Sequence, residues 1–380
     1  MYSIAGYGSM MTDRKRMDAY VQALRQAVTP NSVVLDIGTG TGIFALLACQ
    51  FGARKVYAIE PSDAIQVAHE IAVANGYGQR VKCMQNLSTE ITLPERADVI
   101  ISDLRGVLPL FQHHIPAIAD ARRRLLAPGG VLIPQCDTLW AAAVEAPELY
   151  NRFVAPWDEN SYALDMQPAR RMAINTWCKG RVTAKQRLVE PQCWATLDYT
   201  TVDSPDVRAE VTWTVARAGT AHGLILWFDA TLAEGVHFSN APGAPELLYG
   251  SAFCPLSTPV PLAACDTISV VLQARLVHAD YVWCWNTRVQ DRSGQIKAHF
   301  EQSTFLGVPL SPARLRKRAG THVPTLNDDG KVDRLILECM SDNLTLADIA
   351  CQVSVQFPNR FTTWQEALAR VAELSEKYGQ

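Results

Sequence analysis

Between residues 33 and 134 one pattern recurs: a short apolar run rich in β-branched residues, then a longer stretch whose apolar positions share one helical face. The apolar runs lie at 33–37, 55–59, 81–85, 97–103 and 131–134. Short, nearly continuous apolar runs between helices fit strands buried on both faces of a parallel sheet. Helices are expected from residue 43, over 63–74 and over 117–126, the last ended by Pro128-Gly129-Gly130. Ahead of the first strand, residues 10–27 read as one helix.

From residue 139 the texture changes. Aromatic and β-branched runs at 139–145, 208–216, 224–232, 268–277, 281–288 and 296–301, separated by turn-forming clusters, predict an antiparallel barrel or sandwich. Residues 165–179, with Arg170, Arg171 and Trp177, do not alternate and read as an arm or insertion. Residues 311–318 carry a basic cluster and read as a linker. Beyond it the period becomes helical at 333–340, 345–357 and 363–378, with capping-box spacing at Thr345/Asp348 and Thr363/Glu366. Trp364, Leu368, Val371 and Leu374 make one apolar stripe, expected to be core.

Composition narrows the classes. With 380 residues, 48% hydrophobic and 19% charged, the chain is long enough for two or three domains. A formal net charge of -3 gives no global field to attract nucleic acid, and acidic residues outnumber basic ones from Val323 onward, which argues against a phosphate-binding terminal module. The ten cysteines include no C-x-x-C pair, so neither a zinc-ligand spacing nor a secreted disulfide framework is expected, and no metal is. No apolar run is long enough to cross a bilayer and the N-terminus has no signal pattern. The expectation is a cytoplasmic protein without nucleic-acid or membrane partners.

The first strand ends in Asp36 and runs into Gly38-Thr39-Gly40-Thr41-Gly42. Alternating glycines allow a sharp turn and a close approach of backbone to ligand. A dinucleotide fingerprint wants glycine at 43, where Ile stands, and an acid close before the first glycine suits the cationic sulfonium and ammonium of S-adenosylmethionine better than a pyrophosphate. Glu60 ends the second strand about 20 residues on, where a carboxylate accepts from ribose hydroxyls; otherwise it is a surface acid. The loop holding Ser88 and Thr89 stands where it could edge an adenine, and Asp103 is delivered to the carboxyl edge of the sheet, where such folds bind ligands. Arg16 either grips the carboxylate of a methionine moiety or is one more solvated charge.

Together these residues resemble the protein arginine methyltransferase family over residues 2–310. Met10-Met11 with Asp13, Arg16 and Tyr20 is similar to the family's entry helix, whose arginine holds the cofactor carboxylate. Asp36, Gly38, Gly40 and Glu60 match its cofactor positions. The resemblance implies a Rossmann-like α/β methyltransferase domain over 1–134, then a β-barrel domain over 135–310 with a dimerisation arm at 165–179. It also implies a cis-proline joint at Pro134 and a homodimer. A basic linker over 311–322 would lead to a small domain over 323–380, helical or winged-helix-like, that resembles PqqD-like peptide-binding modules and is otherwise a structural cap.

Departures from the family pattern bear on the acceptor. The family's Ser-Glu-x-x-Gly loop reads Ser102-Asp103-Leu104-Arg105-Gly106, and its second Glu is replaced by Gln112. Its Thr-His-Trp loop corresponds to Trp283-Cys284-Trp285, so Cys284 replaces the histidine. One clamping carboxylate is shortened and one is neutral, and Arg105 either enters the pocket or faces solvent. The expectation is an S-adenosylmethionine-dependent methyltransferase with a retargeted acceptor, a peptide or small molecule of a natural-product pathway. Asp103, Gln112, Cys284 and Trp285 would serve catalysis, with Arg105 and His113 on the substrate and His113 or His114 as bases. Two alternatives stand beside it: arginine, free or in a peptide, as acceptor, and a cofactor-binding peptide scaffold without catalysis.

Overall fold

The computed structural model describes residues 3–159 and 162–379. It divides into two compact units, residues 1–309 and 310–380. The first half of unit one runs α1 (Ile4–Thr12), α2 (Arg14–Ala27), β1 (Val33–Ile37), α3 (Ile43–Gln50), β2 (Lys55–Ile59), α4 (Ala64–Ala74), β3 (Val81–Met84), β4 (Ala97–Ser102), α5 (His114–Arg124) and β5 (Leu126–Ile133). The five strands form one parallel sheet in the order β3-β2-β1-β4-β5. Strand order reverses between β1 and β4, so a crevice opens at their carboxyl ends, where sheets of this kind take ligands. Val33, Val34, Leu35, Ile100 and Ile101 are almost wholly buried, as two-sided covering by helices requires.

Two local expectations change. Residues 10–27 are not one helix: Asp13 ends α1 and caps α2, its carboxylate accepting from the Arg16 backbone N–H. Pro128-Gly129-Gly130 does not follow a helix, because α5 already ends at Arg124 and the triplet lies inside β5. β5 is the sheet's outer strand and its pairing to β4 slips between Ala97 and Val99, an edge irregularity of the kind that tolerates proline.

The Ile133–Pro134 peptide is cis and leads into the antiparallel half. Its elements are β6 (Cys136–Val144), α6 (Pro147–Phe153), α7 (Gln167–Ala173), β7 (Cys178–Gly180), β8 (Gln192–Asp198), β9 (Val207–Thr214), β10 (Gly219–Ala233), β11 (Val236–Ser239), β12 (Ser251–Leu262), β13 (Thr267–Val277), β14 (Asp280–Gln290) and β15 (Ile296–Phe300). One sheet has the order β7-β12-β10-β6-β8, with β11 on β10, and the other β15-β14-β13-β9. They adjoin along β8 with β9 and β12 with β15, giving a barrel-like wrap. Ile268, Val270, Leu272 and Ala274 of β13 alternate inward, and Trp194 of β8 meets Trp283 of β14 edge-on at 6.0 Å. β12 is missing from the sequence reading because Pro255, Pro259 and Pro261 argue against a strand; a register shift on its partner β10 accommodates them. The expected arm region holds α7 and β7.

Unit two has α8 (Pro312–Arg318), α9 (Asp328–Cys339), α10 (Leu346–Gln356) and α11 (Trp364–Tyr378). Residues expected as linker thus include a helix, capped by Ser311 with Pro312 at its first position. Val332, Ile336, Ile349, Val353, Val371 and Leu374 form the core, while Trp364, placed in the stripe by sequence, is 37% exposed. The winged-helix and PqqD-like expectations are not supported: among the described residues this unit has no strand, hence no sheet edge at which an extended peptide could add.

Candidate active site

The glycine turn sits at the carboxyl end of β1. Gly38 and Gly40 have φ of 73° and 54°, and a Cβ built on either would strike the Leu104 side chain or the Tyr7 ring. Only glycine meets both demands. Gly38 and Thr39 donate their backbone N–H groups to the Ile59 carbonyl at 2.8 and 2.9 Å, tying the turn to β2. Asp36 is 1% exposed; its Oδ2 accepts from Thr39 Oγ1 at 2.5 Å and from the Ala45 backbone at 3.0 Å. Burial, only partly offset by those bonds, pushes its carboxyl up to about 7. Glu60 accepts from Gly40 at 3.2 Å and Ser62 at 3.0 Å, so it faces the turn.

These features fit S-adenosylmethionine. Asp36 Oδ1 is buried with no hydrogen-bond partner among the described residues, an acceptor suited to an ammonium, and the two glycines leave a cradle that side chains would fill. Glu60 keeps acceptor capacity for ribose hydroxyls. Glu60→Ala is expected to weaken cofactor binding by about 1 to 3 kcal/mol, read by calorimetric titration; wild-type affinity would remove Glu60 from the site. Of the loop residues, Ser88 is buried, but its backbone carbonyl accepts from Arg124, and Thr89 is exposed.

Asp36 also predicts a pH effect. Its folded value lies above the ordinary carboxylate value near 4, so the stability it contributes is present below about pH 4 and lost as pH rises to about 7. Without ligand, Asp36→Asn should therefore gain stability relative to wild type between those limits, by roughly 2 to 4 kcal/mol in denaturant titrations. A difference independent of pH would mean that Asp36 is ionised throughout.

Asp103 follows β4 and lies within a buried charge cluster. Arg16 Nε and Nη2 are each 2.6 Å from its Oδ2, which also accepts from Tyr249 Oη at 2.6 Å. Arg105 Nη1 donates to Oδ1 at 3.2 Å. Burial pushes the Asp103 carboxyl up, but Arg16 and Arg105 together outweigh it and hold the group below the usual carboxylate range. Arg105 has no exposed side-chain surface; its Nε and Nη2 grip Asp137 at 2.7 and 2.8 Å, and Nη1 donates to Tyr20 Oη at 2.7 Å. Its guanidinium lies 5.4 Å from the Phe228 ring centre and 5.7 Å from that of Phe238. Tyr199 donates to Asp137 at 2.6 Å, and His114 pairs with Tyr199 at 2.9 Å. Burial, helped by Arg105, pushes His114 down to about 3.

The structure thus brings Arg16, Asp103 and Arg105 together, and Arg105 faces inward. Several other expected site residues stand apart. Gln112 is exposed, with φ of 43°, at the end of the loop after β4, where left-handed backbone leads into α5. His113 is exposed, and His114, offered as a base, is buried against Tyr199. Cys284 donates to Ser303 and Trp285 to the Pro255 carbonyl, both within the barrel-like half. The sequence reading missed Asp137, Tyr199, Tyr249, Phe228 and Phe238. The one available signal was Asp137, an acid two residues before the apolar run that opens at Leu139.

Comparison with known proteins agrees with this geometry. Residues 135–287 match the model of the arginine methyltransferase oligomerization subdomain, and residues 18–139 match that of ribosomal protein L11 methyltransferase (PrmA). The chain is 30% identical over 245 residues to "Probable protein arginine N-methyltransferase 6" of Arabidopsis thaliana, covering 62% of this chain and 55% of that protein. To mouse (Mus musculus) protein arginine N-methyltransferase 2 it is 29% identical over 338 residues, covering 84% and 70%. Among solved structures, the open form of Arabidopsis thaliana protein arginine methyltransferase 10 gives a TM-score of 0.70 at 24% identity, covering 79% of this chain and 97% of that one. The Trypanosoma brucei PRMT1 enzyme-prozyme heterotetramer with AdoHcy gives 0.71 at 22%, covering 78% and 96%. The fold is similar to that of class I methyltransferases, and the chain spans about half the length of the Arabidopsis relative it matches. Within that class the chain is protein arginine methyltransferase-like.

Proposed function

We propose that the protein transfers the methyl group of S-adenosylmethionine to a guanidinium nitrogen of arginine, free or in a peptide. The observation that carries this is Asp103: at the switch point of the sheet its carboxylate, held below the usual range, pairs with the guanidinia of Arg16 and Arg105, so the position suits a guanidinium. When bound, the cofactor supplies an electrophilic methyl group at the crevice. The chain's task is then to position the nucleophile in line, the main source of rate in such displacements. Asp103 orients the guanidinium; held ionised by Arg16 and Arg105, it acts as an electrostatic anchor, and the released proton passes to solvent. Tyr20 and Tyr249, whose phenols burial pushes up, stay neutral donors around it.

The natural-product acceptor expected from sequence gains no support from relatives named as arginine methyltransferases, which favour the arginine reading. A scaffold without catalysis is disfavoured by the retained carboxylates and glycine cradle. We further propose a symmetric dimer built on the subdomain at 135–287, and a cytoplasmic location in keeping with ten free cysteines. The activity test presents peptides differing only in arginine, lysine or citrulline to the protein with labelled cofactor. Label confined to the arginine peptide is expected; label on lysine would reassign the acceptor.

A further inference from the structure

We infer that Arg105, latched by Asp137, occupies the place of the acceptor guanidinium at Asp103 and acts as the pocket's specificity gate. The inference rests on the arginine reading above. Four hydrogen bonds hold the Arg105 guanidinium, and they are unequal. The two to Asp137 form a fork at 2.7 and 2.8 Å and the one to Tyr20 is 2.7 Å, whereas the one to Asp103 is longest at 3.2 Å. Arg105 therefore stays in place without Asp103, because the bidentate pair and the flanking Phe228 and Phe238 rings fix it. Asp103 Oδ2 is committed to Arg16 and Tyr249, so Oδ1 is the oxygen that an incoming guanidinium can contest.

An arginine acceptor thus meets one carboxylate oxygen and a fixed positive charge beside it. A bidentate grip on Asp103 is blocked, and like-charge repulsion in a buried setting opposes binding. The sequence pattern carries the same message, since an arginine two residues after the loop carboxylate is matched by an acid, Asp137, that is fully buried. The gate restricts the site to arginine side chains that contact Oδ1 alone and whose peptide makes further contacts that offset the repulsion. It is removed only when both partners go, because deleting one leaves the other charge buried and unpaired.

The test uses the full-length protein saturated with S-adenosylhomocysteine and titrated with an arginine-containing peptide and its neutral citrulline counterpart. The two double variants are Arg105→Met with Asp137→Ala, and the closer-fitting Arg105→Gln with Asp137→Asn; cofactor affinity reports folding for each. Binding of the arginine peptide at least tenfold tighter than wild type, with little change for citrulline, is the expected result. Unchanged arginine affinity, or an equal gain for both peptides, would overturn the gate, the latter because it would reflect mere loss of bulk. Methyl transfer followed in parallel separates the two claims: tighter arginine binding without transfer in any variant sinks the arginine acceptor and leaves the gate standing.

Discussion

Asp137→Ala is expected to lower stability by roughly 3 to 5 kcal/mol in denaturant titration, more than any surface substitution would. Asp137 and Arg105 both lack exposed side-chain surface, so the truncation leaves a guanidinium in a space walled by Phe228 and Phe238 with only Tyr20 and Asp103 for company. Tyr199, which donates to Asp137, loses its acceptor at the same time. Adding Arg105→Met should recover most of the loss, since removing both members of a buried pair is often nearly neutral. Additive losses in the double variant would mean that the two residues are not coupled and that the cluster is held by its aromatic walls.

Asp103→Asn is expected to reduce methyl transfer about 10²- to 10³-fold at saturating cofactor, the scale found when one preorganised electrostatic contact is lost. The amide keeps the shape but offers an oxygen without charge and a nitrogen that cannot accept from Arg16 or Tyr249. An acceptor guanidinium then finds no anion at the sheet edge. Calorimetry on the same variant should show that cofactor still binds, because Asp36, Glu60 and the glycine cradle are untouched. Retention of wild-type turnover would move the acceptor site away from Asp103.

The parts legible in the sequence were those fixed by local pattern. The parallel strands announce themselves as apolar runs, and Asp36, Gly38, Gly40 and Glu60 fall at strand ends that the alternation of strand and helix already places together. Asp103 could be named for the same reason, from a strand end, whereas Arg16 was named only through the resemblance to a family's entry helix, its spacing alone favouring a solvated charge. The rest depends on long-range closure. Asp137, Tyr199 and Tyr249 reach the cluster from strands and loops of the barrel-like half, far along the chain, and no spacing rule links them to Asp103. Whether Arg105 faced in or out was undecidable from its neighbours; a buried acid on β6, in the barrel-like half of the same unit, settles it. Gln112 was named because its position along the chain matched a pattern, and the structure places it exposed on the loop before α5. β12 stayed hidden because its prolines read as breaks.

The central claim is that Asp103 presents an arginine guanidinium to the methyl group of a bound cofactor. The most direct measurement is tandem mass spectrometry of an arginine-containing peptide after incubation with the protein and methyl-deuterated S-adenosylmethionine, alongside Asp103→Asn. The expected result is a deuteromethyl group on a guanidinium nitrogen with the wild type and its near absence with the variant. Tight cofactor binding with no methyl on any arginine, or equal labelling by both proteins, would contradict the claim.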